Sequence, residues 1–287
     1  MMVKLNTVKI DIIHLAFFLL FISCNHKDEP ANNSGQTKQN LSYGDNPAQK
    51  MDYYPAVDQT KESKVMIMIH GGGWATGDKS DFDTNIVFLR TQLPDYAVFN
   101  LNYRLVTGSG NKFPTQENDI SQAVEFIFNN RNQYHLSDKF VLLGASAGGH
   151  LALLQAYKHN SIVSPKAVVS FFGPTDLAAL YDNPPTSEIS DLLALALNGT
   201  PSTNPDLYEA SSPVNYVKAT SAPTILLQGG LDPLISPSQA YSLQLKLQSA
   251  GVVNQLVFYP NEGHGWVGAD LVDSYTQILA FLRANVQ

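Results

Sequence analysis

The stretch of the chain that points most clearly to a reactive residue is GASAG, residues 144–148, where four small residues surround Ser146. It follows the apolar run FVLL, which has strand character, and precedes residues 150–157, which have helical character. A G-x-S-x-G sequence between a strand and a helix is typical of a sharp turn that exposes a nucleophilic serine. The alternative is a glycine-rich turn with an incidental serine, which the two flanking elements disfavour.

A serine hydroxyl is a weak nucleophile unless a base takes its proton and a carboxylate orients that base. His264 lies between two glycines directly after the apolar run QLVFY, and Asp232 lies in GGLDPL directly after the run TILLQ. Two other acids lie near enough in the pattern to be alternatives. Glu262 is too close to His264 in the chain to reach its ring comfortably, and Asp176 is better placed to cap a helix. We therefore predict that Ser146, His264 and Asp232 form the catalytic group.

A second candidate motif is HGGGW, residues 70–74, which follows the apolar run KVMIMI. Successive glycines let the backbone approach a ligand closely, with N–H groups free to point at one oxygen atom. The overlapping sequence GGWATGDKS is close to a phosphate-binding loop. However, Asp78 stands between the glycine and the lysine of that pattern and breaks it. We interpret HGGGW as part of an oxyanion hole.

The elements around these motifs alternate between apolar strands and amphipathic helices. Besides the strands already named, YAVFNL and AVVSFF have strand character. Helices are predicted over residues 119–130, over 237–250 with Ser236 as the N-cap, and over 271–282. Such an alternation is typical of a mostly parallel sheet covered by helices on both faces. Residues 173–216 interrupt it and are predicted to form a short lid insertion over the strand ends.

Composition narrows the classes of function. The chain has 287 residues and a net charge of −7, and no basic stretch is available to neutralise phosphates. Nucleic-acid binding is therefore not expected. The seven histidines include no HExxH sequence and no paired metal-ligand spacing. No metal and no other cofactor is expected.

The N-terminal residues 1–24 have the features of an export signal. Two lysines precede the apolar run HLAFFLLFISC, which is too short to cross a membrane as a stop-transfer segment. Its end, Ile22-Ser23-Cys24, resembles the lipobox of bacterial lipoproteins, although Phe21 stands where leucine is usual. We expect a signal peptide over residues 1–23 and lipid attachment at Cys24. Ordinary signal cleavage, which would leave a lone thiol, is the alternative.

The polar residues that follow predict a tether over 24–40, because they lack the apolar periodicity of a packed element. Lys27-Asp28-Glu29 resembles the acidic export tag of surface-exposed lipoproteins in some Gram-negative bacteria. We expect an exported protein that is anchored to the outer membrane of a bacterial envelope, with display at the cell surface as one option. Its contact with the membrane would be through the lipid anchor alone.

With these motifs assembled, residues 41–287 resemble the α/β-hydrolase superfamily, in particular its esterase/lipase branch with an HGGGW oxyanion motif. DYYPA, NYRL, a Ser-Pro pair at 212–213 and the EGHGW loop fit the same pattern. The resemblance implies an oxyanion hole made by the backbone N–H groups of Gly72, Gly73 and Ala147. It also implies that Trp74 and Trp266 line the acyl or leaving-group site, unless both are buried simply as large apolar residues.

The resemblance also implies a range of substrates. Similar proteins include carbohydrate acetyl and feruloyl esterases, kynurenine-formamidase-like amidases and hormone-sensitive-lipase-like carboxylesterases. The last group carries a sizeable helical cap before the glycine motif, which this chain lacks, so a fairly open site is expected. We expect hydrolysis of short acyl esters, such as acetyl or feruloyl groups on carbohydrate, with a small-molecule or polysaccharide-linked ester as the substrate. A generic carboxylesterase or lipase, an amidase and a non-catalytic ligand-binding member of the fold remain alternatives.

Overall fold

The structure, a computed structural model, describes residues 35–160 and 162–287. The predicted signal peptide, Cys24 and most of the predicted tether lie outside the described residues. One sheet runs through the described part, with the strand order β1-β2-β4-β3-β5-β6-β7-β8. Its strands are β1 (Lys38–Ser42), β2 (Lys50–Tyr54), β3 (Ser63–Ile69), β4 (Tyr96–Leu101), β5 (Leu136–Ala145), β6 (Ala167–Phe171), β7 (Thr224–Gly229) and β8 (Asn254–Tyr259).

The sheet is mostly parallel, as predicted. Strands β3 to β8 run parallel to one another, whereas β2 is antiparallel to both of its neighbours, β1 and β4. The central strands are buried on both faces, because alternate side chains enter two separate apolar cores. On β3, Val65 and Ile67 belong to one core, and Met66 and Met68 belong to the other. This is why the central strands appear in the sequence as continuous apolar runs.

Helices cover both faces of the sheet. Those within the described residues are α1 (Asp83–Gln92), α2 (Thr115–Asn129), α3 (Ala147–Lys158), α4 (Leu177–Asp182), α5 (Ser187–Ala196), α6 (Pro205–Ala210), α7 (Ser238–Ser249) and α8 (Gly268–Asn285). Side chains of α2, α3 and α7 contribute to one core, and those of α1 and α8 contribute to the other. In the part of the chain that the structure describes, none of these helices is both long and apolar enough to cross a bilayer.

Residues 173–216 form a helical insertion between β6 and β7, as the break in the alternation predicted. It contains α4, α5, α6 and a short 3-10 helix, Pro213–Tyr216. Asp176 begins the first of these helices, where its Oδ1 atom accepts a hydrogen bond of 2.9 Å from the Ala179 N–H. This is the capping role predicted for Asp176, and it separates that carboxylate from the catalytic candidates.

Three boundaries differ from the predictions. Strand β1 begins at Lys38, so the last residues of the predicted tether belong to the sheet. The side chains of this edge strand are mostly exposed, which explains the missing apolar pattern. Helix α1 was not predicted, because only Ile86 and Leu89 of its residues are buried. Helix α7 has Pro237 at its N-cap position, where Ser236 was predicted.

Candidate active site

Ser146 occupies a strained turn between β5 and α3. Its backbone has φ 54° and ψ −122°, a conformation that residues with a side chain rarely adopt. The neighbouring glycines are required by close contacts. A Cβ atom on Gly144 would overlap the Gly148 carbonyl oxygen, and one on Gly148 would overlap the Ile69 carbonyl oxygen. The small residues of GASAG therefore allow the chain to turn sharply and leave the Ser146 side chain at the edge of the sheet.

Ser146, His264 and Asp232 form one hydrogen-bonded row. The His264 Nε2 atom lies 2.9 Å from Ser146 Oγ, and its Nδ1 atom lies 2.8 Å from Asp232 Oδ2. Because an ionised carboxylate can only accept, Nδ1–H donates to Asp232 and Nε2 is left to accept the serine proton. The structure thus brings together the three residues that the sequence selected, in the order needed to activate a serine.

The row is assembled by the register of the parallel strands. Strands β7 and β8 are neighbours with Gly229 opposite Tyr259, so the loops that carry Asp232 and His264 begin side by side. A backbone hydrogen bond of 2.8 Å from the Leu231 N–H to a carbonyl oxygen of the His264 loop joins them. Since the carboxyl ends of parallel strands meet at one edge, Ser146 at the end of β5 faces the same side.

The Asp232 carboxylate is buried, and both of its oxygen atoms accept hydrogen bonds. Its side chain has no exposed surface, and Oδ1 accepts hydrogen bonds of 2.8 Å and 2.9 Å from the N–H groups of Leu234 and Ile235. Gln228 donates from Nε2 to Oδ2 at 3.2 Å. A buried charge requires such partners, because an unpaired carboxylate would be strongly destabilising. These contacts hold Oδ2 towards the His264 ring.

The glycine loop passes directly beside Ser146. Strands β3 and β5 are neighbours, and a Cβ atom on Gly71 would lie only 3.3 Å from Ser146 Cβ. Gly72 and Gly73 have φ values of 95° and 58°. Among the described residues, their N–H groups have no hydrogen-bond acceptor. The Ala147 N–H, at the first position of α3, likewise has no partner within its helix. Three free donors thus lie in the two segments that meet at Ser146.

The NYRL motif supports the glycine loop from below. The Tyr103 hydroxyl donates to the carbonyl oxygens of His70 and Gly71 at 3.1 Å and 3.2 Å, and its ring stacks on the His70 ring. Burial lowers the pKa of His70, so this imidazole is held neutral. Asn102 accepts from the Lys79 N–H at 2.7 Å and fixes the segment that follows the loop. From the sequence, this motif was identified only by its resemblance to the esterase pattern, and these contacts were not predicted.

The prediction that Trp74 and Trp266 line the substrate site is wrong. Their exposed fractions are 3% and 4%, so both indoles lie in the apolar cores. Trp74 packs edge-on against Phe113 and His150. Trp266 donates from its ring N–H to Ser274 Oγ at 2.8 Å. Burial of such large rings contributes more to stability than exposure at a site, and the alternative stated from sequence is what the structure shows.

Two residues of the site were missed by sequence reasoning. The Phe172 ring lies 4.4 Å from the His264 ring, and its backbone has φ 39°. Leu192, on α5 of the insertion, lies against the glycine loop, because a Cβ atom on Gly73 would be 2.7 Å from its Cδ2 atom. The paired phenylalanines at the end of β6 were the available signal for the first residue. Nothing in the sequence pointed to Leu192.

The other histidines of the described residues lie outside the row of Ser146, His264 and Asp232. His135 is exposed. His159 is half-buried, and its Nε2 atom contacts the carboxylate of the buried Glu117, which also binds Lys158 at 2.6 Å. Burial alone would raise the pKa of Glu117, but the hydrogen bonds from these two partners lower it. Across residues 35–160 and 162–287, no group of three or more potential metal ligands is arranged to hold an ion.

Comparisons with known proteins place the chain among esterases by sequence similarity. Residues 51–247 match the model of the BD-FAE family. Esterase LipC of Mycobacterium tuberculosis is 27% identical over 252 residues, which are 82% of this chain and 60% of that protein. The probable carboxylic ester hydrolase LipM of the same organism is 27% identical over 70% of this chain and 49% of its own length. The chain thus spans about half to three fifths of the length of these relatives.

Solved structures show the same fold. A truncated form of a carbohydrate esterase from gut microbiota superimposes with a TM-score of 0.76. The superposition covers 90% of this chain and 99% of that one, at 20% sequence identity. The likeness shows that the sheet and its covering helices form an α/β-hydrolase fold.

Proposed function

The chain belongs to the BD-FAE family, and on this premise we propose that it is a serine hydrolase that cleaves carboxylic esters. The observation that carries the proposal is the hydrogen-bonded row of Asp232, His264 and Ser146. The free N–H groups beside Ser146 support it as well, because a nucleophile and an oxyanion site are both needed for acyl transfer. Esterase is also the activity in the names of LipC and LipM.

The first half of the reaction forms an acyl-enzyme. Ser146 Oγ attacks the acyl carbon of the ester while its proton moves to Nε2 of His264. The carbonyl oxygen becomes an oxyanion and accepts hydrogen bonds from the N–H groups of Gly72, Gly73 and Ala147. As the carbon–oxygen bond breaks, His264 gives its proton to the departing alcohol. Asp232 keeps the imidazole oriented and stabilises its cationic form.

The second half regenerates the serine. A water molecule gives its proton to His264 Nε2 as its oxygen attacks the acyl carbon. The second oxyanion forms at the same N–H groups, and its collapse releases the carboxylic acid and returns the proton to Ser146. The amino end of α3 carries positive partial charge and lies beside this oxygen in both steps, which favours the negative intermediates.

For the substrate, we propose short acyl groups such as acetyl or feruloyl carried by carbohydrate. Leu192 and Phe172 support a restricted space around the reacting carbon, since one contacts the oxyanion loop and the other contacts the catalytic imidazole. The likeness in fold to a carbohydrate esterase supports carbohydrate as the alcohol component of the ester. Among the alternatives, a lipase would prefer long acyl chains, and a formamidase-like enzyme would cleave N-formylkynurenine.

The test of function is hydrolysis of p-nitrophenyl acetate by wild type and by Ser146→Ala. We expect turnover by the wild type and a loss of several orders of magnitude in the variant. Acetylated xylan, feruloylated xylan fragments, p-nitrophenyl decanoate and N-formylkynurenine then define the substrate. Release of acetate or ferulate supports the carbohydrate assignment. Preference for the decanoate with no release from xylan contradicts it and leaves a generic esterase or lipase.

For localisation, the N-terminal sequence supports a lipid anchor at Cys24, with the polar residues behind it acting as a tether. One acyl chain binds a membrane only marginally, so at least two chains are needed. In the native bacterial host, wild type should fractionate with membranes and Cys24→Ala should be released. A Cys24→Ala protein that stays in the membrane fraction would contradict the anchor.

A further inference from the structure

His150 is a fully buried imidazole that makes two specific hydrogen bonds. The Trp74 indole nitrogen lies 3.3 Å from its Nδ1 atom, and its Nε2 atom lies 2.7 Å from the Ser211 carbonyl oxygen. An indole N–H can only donate, so Nδ1 accepts. The proton is therefore on Nε2, which donates to Ser211. Both hydrogen bonds exist together only in this neutral tautomer.

Trp74 ends the glycine loop in a conformation that needs support. Its φ is 60°, and it follows Gly72 and Gly73, which also have positive φ values. For a residue with a side chain this conformation is strained, and it persists only when the surroundings impose it. The surroundings here are the Phe113 ring, which meets the indole edge-on, the Trp74–His150 hydrogen bond, and a 2.8 Å bond from the Val106 N–H to the Trp74 carbonyl oxygen.

His150 also belongs to the helix that carries the other half of the oxyanion site. Ala147 is the first residue of α3, and the His150 N–H donates to the Ser146 carbonyl oxygen at 3.0 Å in the first turn. The imidazole thus connects the segment containing Ser146 and Ala147 to the loop containing Gly73 and Trp74. The two segments are distant in sequence, and both must be placed accurately for their N–H groups to reach one oxygen atom.

We propose that His150 is a positioning residue that holds the glycine loop at a fixed distance from the amino end of α3, and so sets the geometry of the oxyanion hole. The inference rests on the proposed function, because it assumes that Gly72, Gly73 and Ala147 bind the oxyanion. The second hydrogen bond, to Ser211, joins the same imidazole to the end of α6. The helical insertion is thereby tied to the glycine loop through one side chain.

The protonation state of His150 agrees with this role. Burial lowers its pKa to about 4, and the hydrogen bond to Ser211 offsets only part of that effect. The charged groups that act on it are Glu117, from α2, which raises the pKa, and Lys158, from α3, which lowers it. At neutral pH the imidazole is therefore uncharged, as the two hydrogen bonds require.

Two substitutions separate the two hydrogen bonds. The amide oxygen of asparagine can take the place of Nδ1, so His150→Asn keeps an acceptor for Trp74 and loses the donor to Ser211. The amide NH₂ of glutamine can take the place of Nε2–H, so His150→Gln keeps the donor and loses the acceptor. Trp74→Phe removes the same Trp74–His150 bond from the other side. Tyr157→Phe is the matched control, because it removes a buried 2.7 Å bond to Thr224 from the far end of α3.

The full-length proteins are compared in hydrolysis of p-nitrophenyl acetate. In other enzymes, removal of one oxyanion donor lowers kcat roughly 10²- to 10³-fold. A displaced loop weakens such donors without removing them, so His150→Gln should lower kcat roughly 10- to 100-fold with little change in KM. His150→Asn should lose clearly less. Trp74→Phe should resemble His150→Gln, and the double variant should be no worse than the poorer single one, because both remove one bond. Tyr157→Phe should keep the wild-type kcat.

The outcomes distinguish this inference from the proposed function. If Ser146→Ala is as active as wild type, the proposed function fails and the inference fails with it. If Ser146→Ala is inactive but His150→Gln has wild-type kcat, the inference alone is wrong. Equal losses in His150→Asn and His150→Gln, or multiplicative losses in the double variant, would assign His150 to general packing and would also overturn it.

Discussion

The Nε2 atom of His264 lies 2.9 Å from the Oγ atom of Ser146, although 118 positions separate the two residues in the chain. The serine follows β5 and the histidine follows β8, with β6 and β7 between these strands in the sheet. The short distance therefore depends on the parallel pairing of β5, β6, β7 and β8. It makes the hydroxyl and the imidazole one chemical unit, on which the proposed reaction depends.

Asp232→Asn tests the role of the acid. The amide cannot stabilise a cationic imidazole and favours the wrong tautomer of His264, so kcat should fall roughly 10⁴-fold, as at other triads. Glu262→Gln is the control, because it removes the nearby carboxylate that does not contact the ring. Ester hydrolysis measures both. A loss in Glu262→Gln that matched the loss in Asp232→Asn would contradict the assignment of the acid.

Gly148→Ala tests the steric basis of the serine turn. The new methyl group would overlap the carbonyl oxygen of Ile69, a backbone atom that cannot move without distorting β3. The free energy of unfolding should fall by about 3 kcal/mol. Gly108→Ala is the control, since a Cβ atom there meets no atom within 4 Å, and it should change stability by less than about 0.5 kcal/mol. Urea denaturation measures both, and equal effects would refute the argument.

Much of this candidate site could be predicted because each proposed catalytic residue lies shortly after an apolar strand. In a parallel sheet the ends of such strands share one edge, so Ser146, Asp232 and His264 were selected together before any distance was known. The parallel part of the sheet, β3 to β8, could also be predicted from the apolar sequences of its strands. Its central strands are buried on both faces, and their sequences are therefore mostly apolar.

The features that were not predicted depend on tertiary contacts. The edge strand β1 keeps its side chains in water and has no apolar pattern. Trp74 and Trp266 follow glycines near the site, but only the packed structure shows that their rings point into the cores. The partners of His150 likewise come from the glycine loop and the insertion, and no local pattern of residues can indicate such contacts.

Stability in acid should depend on His150. Its folded pKa, about 4, lies below the 6.5 of an unperturbed histidine. Between these values the unfolded chain binds more protons, so protonation favours unfolding. The contribution of neutral His150 to the free energy of unfolding is complete above pH 6.5. It is lost as the pH falls towards 4, by about 3 kcal/mol in total.

The measurement is the free energy of unfolding of wild type and His150→Gln between pH 7.5 and pH 4.5. The advantage of the wild type should shrink as the pH falls, because the variant has no titrating group at this position. His70, whose pKa burial also lowers, is present in both proteins and cancels in the difference. Parallel pH profiles for the two proteins would show that His150 does not titrate as described.

Leu192→Ala should widen the range of acyl groups. The leucine side chain lies against Gly73, so shortening it makes room beside the bound acyl oxygen. The ratio of kcat/KM for p-nitrophenyl hexanoate to that for the acetate should rise roughly tenfold. Leu195→Ala, on the same helix but packed against the core, is the control and should leave the ratio unchanged. An unchanged ratio in Leu192→Ala would place the acyl group elsewhere.

The most direct test of the central claim is covalent labelling by a fluorophosphonate, which reacts with a serine only when a base and an oxyanion site activate it. The full-length protein is treated with the probe, and its mass and the modified peptide are determined. We predict one label per chain, located on Ser146, and no label in Ser146→Ala. A wild-type protein that remains unlabelled, or a label that persists in Ser146→Ala, would contradict the assignment of Ser146 as the activated nucleophile.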